Sequence, residues 1–196
     1  MVVLTADHGD LTGAHGLLQK GAVGYDELYR IPLLVRWPGS IEAGAKCEAM
    51  VELVDLMPTL VEVGGADVPT DLDGRSVVPL LRGEHPRDWR GEVFAEYLGS
   101  QNGDMPLRIL RTGQCKLVCG DAGPLEFFNL EEDPHETHDI SCEPDVETRI
   151  QPWRNCMIEF LKDRPEGFTD GTILIPGQPH DEPLPDYDPK VTYPYL

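Results

Sequence analysis

Positive charge is scarce in this chain. Only 16 Lys and Arg stand against 35 Asp and Glu, a formal net charge of −19 over 196 residues. Binding to a nucleic-acid backbone needs clustered Lys and Arg, and no such cluster occurs, so that partner is excluded. An anionic ligand must then be attracted by local cations, against the overall field. Long apolar runs are missing too: none approaches the ~20 residues of a bilayer span, and no basic-then-apolar leader opens the chain. As it stands the product reads as soluble and cytoplasmic with no membrane partner; an extension ahead of Met1 would open a secreted or periplasmic location. Cysteines are few and unpaired in pattern. Cys47, Cys115, Cys119, Cys142 and Cys156 are an odd 5, without the CxxC spacing of a structural zinc site. Cys115 and Cys119 share a strand face at i and i+4, too far apart for an easy bridge. Reduced thiols are the expectation, and no internal repeat is visible.

The chain is long enough for one domain with a real core. Its most informative stretch runs from Met1 to Lys20. Val2, Val3 and Leu4 form an apolar run that leads into Asp7, His8 and Asp10, with Gly9, Gly13 and Gly16 spaced through the loop, then His15 and Lys20. That is how a buried strand delivers polar side chains to a site at its carboxyl end. Asp7 can supply an anionic oxygen and His8 an imidazole nitrogen to a divalent cation, while Lys20 can supply a point charge to an oxyanion. Metal plus ammonium makes a small anionic ester the natural substrate. Asp-His-Gly alone is an ordinary turn after a strand, so the weight lies on the longer series that it opens.

That series is Asp-His-Gly-Asp, Gly-Ala-His-Gly, Lys20, Tyr25-Asp26-Glu27, and Arg30 through Ile31-Pro32-Leu33-Leu34-Val35-Arg36-Trp37-Pro38 to Gly39. In this order it resembles the C-terminal half of the sulfatase family, within the alkaline-phosphatase-like metal hydrolases. The phrase Phe127-Phe128-Asn129-Leu130-Glu131-Glu132-Asp133-Pro134-His135-Glu136 resembles the family's later portion. The resemblance implies hydrolysis of sulfate esters with one divalent metal ion, Ca²⁺, Mn²⁺ or Mg²⁺. It implies Asp7 and His8 as metal ligands and Lys20 as a contact to the sulfate or phosphate. His15 is implied as a supporting group or substrate contact, with a histidine hydrogen-bonded inside a glycine loop as the competing reading. Asp10 is expected to orient the loop, and Arg30 and Arg36 to be ion-pair partners.

The family's nucleophile is a cysteine converted to formylglycine, at the head of a Cys-x-Pro/Ala-x-Arg motif. No such motif occurs here; Cys142-Glu143-Pro144-Asp145-Val146 lacks the arginine. The early Asp-Asp pair that resembles the other half of the metal site is absent as well. Two adjacent ligands cannot close a shell of six or more oxygens, so the chain carries roughly half an active site and alone is expected to turn nothing over. Asp-His, where many members carry Asp-Asn, is typical of relatives resembling choline sulfatases and phosphonate monoester hydrolases. Imidazole in place of an amide oxygen moves preference from Ca²⁺ toward Mn²⁺ or Zn²⁺. A phosphonate monoester or phosphodiester hydrolase is therefore the alternative chemistry, and a non-catalytic interaction module the alternative class.

The expected fold class is α/β: the C-terminal part of an alkaline-phosphatase-like sheet plus a small antiparallel sheet packed on one helix. Val2 to Leu4 reads as a strand buried on both faces with a parallel neighbour at Pro32 to Trp37, a helical turn at 25–29 between them. Residues 48–53 read as a short strand, Asp55 as the N-cap of a helix over 56–63, and Ser76 as the cap of a turn over 77–81. Residues 92–98, 107–111, 116–118 and 125–128 read as a meander punctuated by turns at 99–103, 112–113 and 120–123. Val146, Ile150, Trp153, Met157, Phe160 and Leu161 mark one face of a helix over 145–164. His135, His138 and Asp139 read as a solvated turn. The division is 1–90 as the end of a catalytic α/β domain, 91–164 as sheet and helix, and 165–196 as a proline-rich extended tail. A sheet this short of strands leaves an open edge, which predicts a homo-oligomer or a missing N-terminal half as partner.

Overall fold

A computed structural model describes residues 1–97, 106–120, 123–164 and 167–175. Six strands and four α-helices follow one another as β1 (Val2–Thr5), α1 (Asp26–Tyr29), β2 (Leu33–Arg36), α2 (Leu56–Val63), α3 (Val78–Leu81), β3 (Glu92–Tyr97), β4 (Leu107–Thr112), β5 (Cys115–Gly120), β6 (Gly123–Asn129) and α4 (Val146–Leu161). Short 3₁₀ turns cover Ala14–Gly16 and Leu53–Asp55. The mixed α/β character is as expected from the sequence. No helix among the described residues is long and apolar enough to cross a membrane.

The sheet of β3–β6 is an antiparallel meander in sequence order. Its register sets Leu110 opposite Leu117, and Leu117 opposite Phe127, so these side chains share one face. There they meet Ile150, Met157 and Leu161 of α4 in one buried cluster. The other face carries Ile109, Val118 and Phe128, against which Ala22, Tyr25 and Tyr29 pack. The meander is thus a middle layer, with α4 on one side and the chain around α1 on the other. Both faces are covered because its strands are apolar on alternate and intervening positions alike. All five cysteines are free thiols, and burial pushes the Cys119 thiol up to about 12.

Several details depart from the sequence reading. β1 and β2 are antiparallel, pairing Val2 with Arg36 and Leu4 with Leu34. A parallel pair needs a crossover of a dozen residues or more, usually a helix on the sheet face, and α1 has only 4 residues. Nor is β1 buried on both faces: Val2 is 61% exposed, Leu4 59% and Leu34 60%. Residues 48–53 form no strand. They are held through side chains instead, Trp89 Nε1 donating to Met50 O at 2.8 Å and the Glu52 carboxylate accepting from Phe94 N–H at 3.3 Å.

Asp55 precedes α2 but turns its carboxylate away from that helix. It accepts from Glu52 N, Arg75 N and both terminal nitrogens of Arg90, at 2.5–2.8 Å, and is wholly buried. Its cap serves the preceding 3₁₀ turn, so it is a buried hub for three segments. Among the described residues neither Arg30 nor Arg36 has an acidic partner. Both project into solvent, where a long flexible side chain gains little from pairing. On α4, Ile158 is buried while Phe160 is 44% exposed, although its ring stacks on Phe94 at 5.2 Å. After Arg164 the chain returns to the core: Phe168 and Leu174 are buried in the α4 cluster, and Thr169 bridges Leu174. The Arg108 guanidinium lies over the Phe168 ring at 3.4 Å. The turn expected at 99–103 and the proline-rich stretch 176–196 lie outside the described residues.

Candidate active site

β1 ends at Thr5, and the loop beyond it carries Asp7, His8 and Asp10. Three of the residues singled out in the sequence converge. Lys20 Nζ is 2.8 Å from His8 Nε2, and the same nitrogen of His8 is 3.6 Å from Asp7 Oδ2. His8 Nδ1 lies 2.7 Å from the Gly9 carbonyl oxygen. A carbonyl can only accept and an ammonium can only donate, so Nδ1 carries the proton and Nε2 offers its lone pair. That tautomer, fixed by a backbone carbonyl on the far side of the ring, is the usual state of a histidine prepared to ligate a metal through Nε2.

Asp7 is largely in solvent. His8 N–H donates to its Oδ1 at 3.0 Å, and this backbone hydrogen bond, with weaker help from the Lys20 ammonium, holds its carboxyl below the usual range. Asp7 is therefore anionic at neutral pH. Asp10 accepts from Thr12 N at 3.0 Å, closing the turn as expected. The loop is bent tightly: Thr12 and His15 both have positive φ, 43° and 53°, a conformation that costs a non-glycine residue of the order of 1 kcal/mol.

His15 has different neighbours. Its ring stacks flat on Tyr25, centroids 3.6 Å apart and planes within 4°, and its Nε2 is 3.4 Å from Glu27 Oε2. The side chain is only 12% exposed. Tyr25 in turn packs on Phe128 of the meander. His15 thus fastens the glycine loop to Tyr25 and to Glu27 of α1.

A set of residues with no role assigned from the sequence lies just beneath. Lys116 on β5 is fully buried, donates to Gly24 O at 3.0 Å, and pairs with both Asp26 and Glu136. Arg111 on β4 grips the Asp26 carboxylate through Nε and Nη2 at 2.9–3.2 Å. Glu136 Oε2 accepts from Asp26 N at 2.7 Å. Burial pushes the Asp26 carboxyl up, but Arg111 and Lys116 outweigh it and hold the group below its ordinary value. Glu136 goes the other way, raised by burial that Lys116 only partly offsets. The available signal was a lysine between apolar residues of a strand. The turn after β6 is otherwise solvated as expected, His135 and His138 being exposed, with Asp139 accepting from Phe127 N and Ser141 N.

An ionised carboxylate, an imidazole lone pair and an ammonium at one strand end can hold a divalent cation next to an anion. The donor set fits a metal as part of a shell: no group of three metal-ligating side chains occurs among the described residues. The chain belongs to the sulfatase family of the alkaline-phosphatase-like superfamily. Residues 13–162 match the family described as N-sulphoglucosamine sulphohydrolase, C-terminal. An arylsulfatase of Clostridium perfringens is 31% identical over 180 residues, covering 90% of this chain and 37% of that one. A protein solved in complex with its substrate D-glucosamine-2-N,6-O-disulfate is 27% identical with a TM-score of 0.76, covering 85% of this chain and 36% of that one. The phosphonate monoester hydrolase of Silicibacter pomeroyi is 28% identical with a TM-score of 0.71, covering 91% and 39%. The chain thus spans little more than a third of the length of these relatives.

Proposed function

We propose that this chain supplies one side of the active site of a sulfate-ester hydrolase. The observation that carries the reading is the convergence of Asp7, His8 and Lys20, with His8 Nε2 2.8 Å from Lys20 Nζ. Asp7 and His8 would hold a divalent metal through Oδ and Nε2, and that metal would polarise the ester oxyanion and offset charge as it develops. Lys20 supplies the ammonium that binds an equatorial oxygen of the ester. His15 serves as a prop on Tyr25 that keeps the loop bent. Gly9 O keeps the proton on His8 Nδ1, so the Nε2 lone pair, which here accepts from Lys20 Nζ, is the one that would ligate a metal once Lys20 turns to the ester. A formylglycine nucleophile and the remaining ligands would have to come from residues other than these 196.

The substrate class rests on the relatives: arylsulfatase and a disulfated glucosamine ligand point to sulfate esters of phenols or sugars. A second reading, phosphonate monoester hydrolysis, is favoured by the fold shared with the Silicibacter enzyme over 91% of this chain. Nothing in a carboxylate, imidazole and ammonium separates a sulfuryl from a phosphoryl centre. The chain joined to its in-frame upstream coding sequence, assayed with an aryl sulfate and an aryl phosphonate, decides between them. Asp7→Asn and Lys20→Ala should each lower turnover on the preferred ester by about 100-fold or more. Turnover of an aryl sulfate by the 196-residue chain alone would overturn the placement of the nucleophile outside it.

A further inference from the structure

We infer that Lys116, deep in the meander, is a positioning residue for the Asp7–His8–Lys20 site and acts through α1. The inference rests on the reading of that site as one side of a hydrolase centre. At 4 residues, α1 is far too short to hold itself by backbone hydrogen bonds. Beside the packing of Tyr29 on the meander, its polar anchor is its first residue. Asp26 has its N–H bound by Glu136 and its carboxylate gripped by Arg111 and Lys116, while Lys116 also ties down Gly24 O. Three strands or turns of the meander therefore clamp one residue of α1.

The far end of α1 is the floor under the catalytic loop. Gly9 N–H donates to Leu28 O at 2.8 Å. The contact is close enough that a Cβ on Gly9 would stand 1.8 Å from Glu27 O and 3.3 Å from Leu28 Cα. Gly9 O is the acceptor that sets the His8 tautomer. Glu27, one residue past the clamp, faces His15. A backbone so tightly seated moves with what it sits on, so the chain of contacts runs Lys116, Asp26, α1, Gly9, His8. Lys116 touches neither His8 nor any atom the ester would occupy, which is why its role is to position.

Removing Lys116 alone would leave two buried carboxylates facing each other and could unfold the protein. The test variant is therefore Lys116→Met with Glu136→Gln, which removes one charge of each sign and keeps an amide oxygen for Asp26 N–H. Hydrogen exchange of the Gly9 amide should accelerate by about tenfold relative to the Leu117 and Phe127 amides, and the ¹⁵N signals of the His8 ring should shift. Unchanged Gly9 exchange and His8 signals in the folded variant would overturn the inference, as would a uniform acceleration across the meander. Gly9→Ala is the independent check: it should shift the His8 signals while meander protection stays at the wild-type level, and an unmoved His8 would break the proposed route. Mn²⁺ added to the wild-type chain separates the two readings. If it leaves the His8 ring signals unbroadened the metal assignment falls, whereas the coupling read at Gly9 stands or falls by the variants alone.

Discussion

The first fifty residues and the meander with α4 are built on different principles. Of the buried apolar side chains among the described residues, only Leu11 and Leu28 come from the first fifty; β4, β5, β6 and α4 by themselves supply Leu107, Ile109, Leu110, Leu117, Val118, Cys119, Phe127, Phe128, Val146, Ile150, Met157, Ile158 and Leu161. The meander is stabilised by area removed from water. The site loop is stabilised by a few directed polar contacts: Gly9 on Leu28, His15 on Tyr25 and Glu27, Asp26 on Lys116 and Arg111. The candidate site sits on the part with little burial of its own and leans on the part with much. This is the usual arrangement of a functional loop on a rigid scaffold.

The largest expected effect comes from the scaffold. Met157 is fully buried against the sheet, so Met157→Ala should cost about 3 kcal/mol or more, measured by urea unfolding, and the loop should lose its order in the same transition. A loop that stayed ordered while the scaffold melted would break the comparison. Asp26→Asn cuts the link between the two regions and should cost about 2–3 kcal/mol at neutral pH, because Lys116 and Arg111 lose a buried anion. The sign with pH is set by its lowered carboxyl. The contribution is fully present above the ordinary value of 3.8 and is lost as pH falls below it through the folded-state value. The wild type's advantage over the variant should therefore shrink below that pH. Glu136, whose raised carboxyl owes part of its shift to Asp26, titrates above that pH in the wild type, so the comparison is read below 3.8. An advantage that grew on acidification would contradict the clamp.

Within the loop the expectation reverses. Lys20 is exposed, and Lys20→Ala should leave the unfolding midpoint where it is while abolishing the shift of the His8 ring signals caused by added sulfate. A large loss of stability would show the loop to be structural after all. The smallest effect concerns the thiols. Cys47 and Cys142 are exposed and should react with Ellman's reagent in the folded protein, whereas Cys119, buried and with its thiol pushed up to about 12, should react only on unfolding.

Much of this was legible in the residues. The four strands of the meander and α4 announced themselves by apolar spacing, and the structure places α4 at Val146–Leu161 inside the expected 145–164. Asp7, His8 and Lys20 were legible as donor types, and the tertiary structure brings them together. Other features were not. The direction of β2 depends on how the intervening loop folds back, which apolar runs do not encode. Residues after Arg164 look like tail by composition, yet Phe168 and Leu174 are buried, because a single aromatic or leucine finds the core regardless of its polar neighbours. His15 read equally as a supporting group or substrate contact and as a histidine hydrogen-bonded inside the glycine loop; only its stack on Tyr25 at 3.6 Å shows the neighbour it keeps. The Asp26–Lys116–Glu136 cluster was invisible because its members lie 90 and 20 positions apart.

By itself the sequence determined which chemical groups this protein can bring to a ligand and which segments must be strand or helix, since residue type and apolar period are local properties. The tertiary structure decided which of those groups meet, because contacts between Asp26 and Lys116, or between His15 and Tyr25, depend on how the chain folds back on itself. It also decided that a buried lysine from the sheet, distant in sequence, holds the floor of the loop. Charge removed from water is stable only beside its counter-charge, and where that counter-charge lies is a property of the fold.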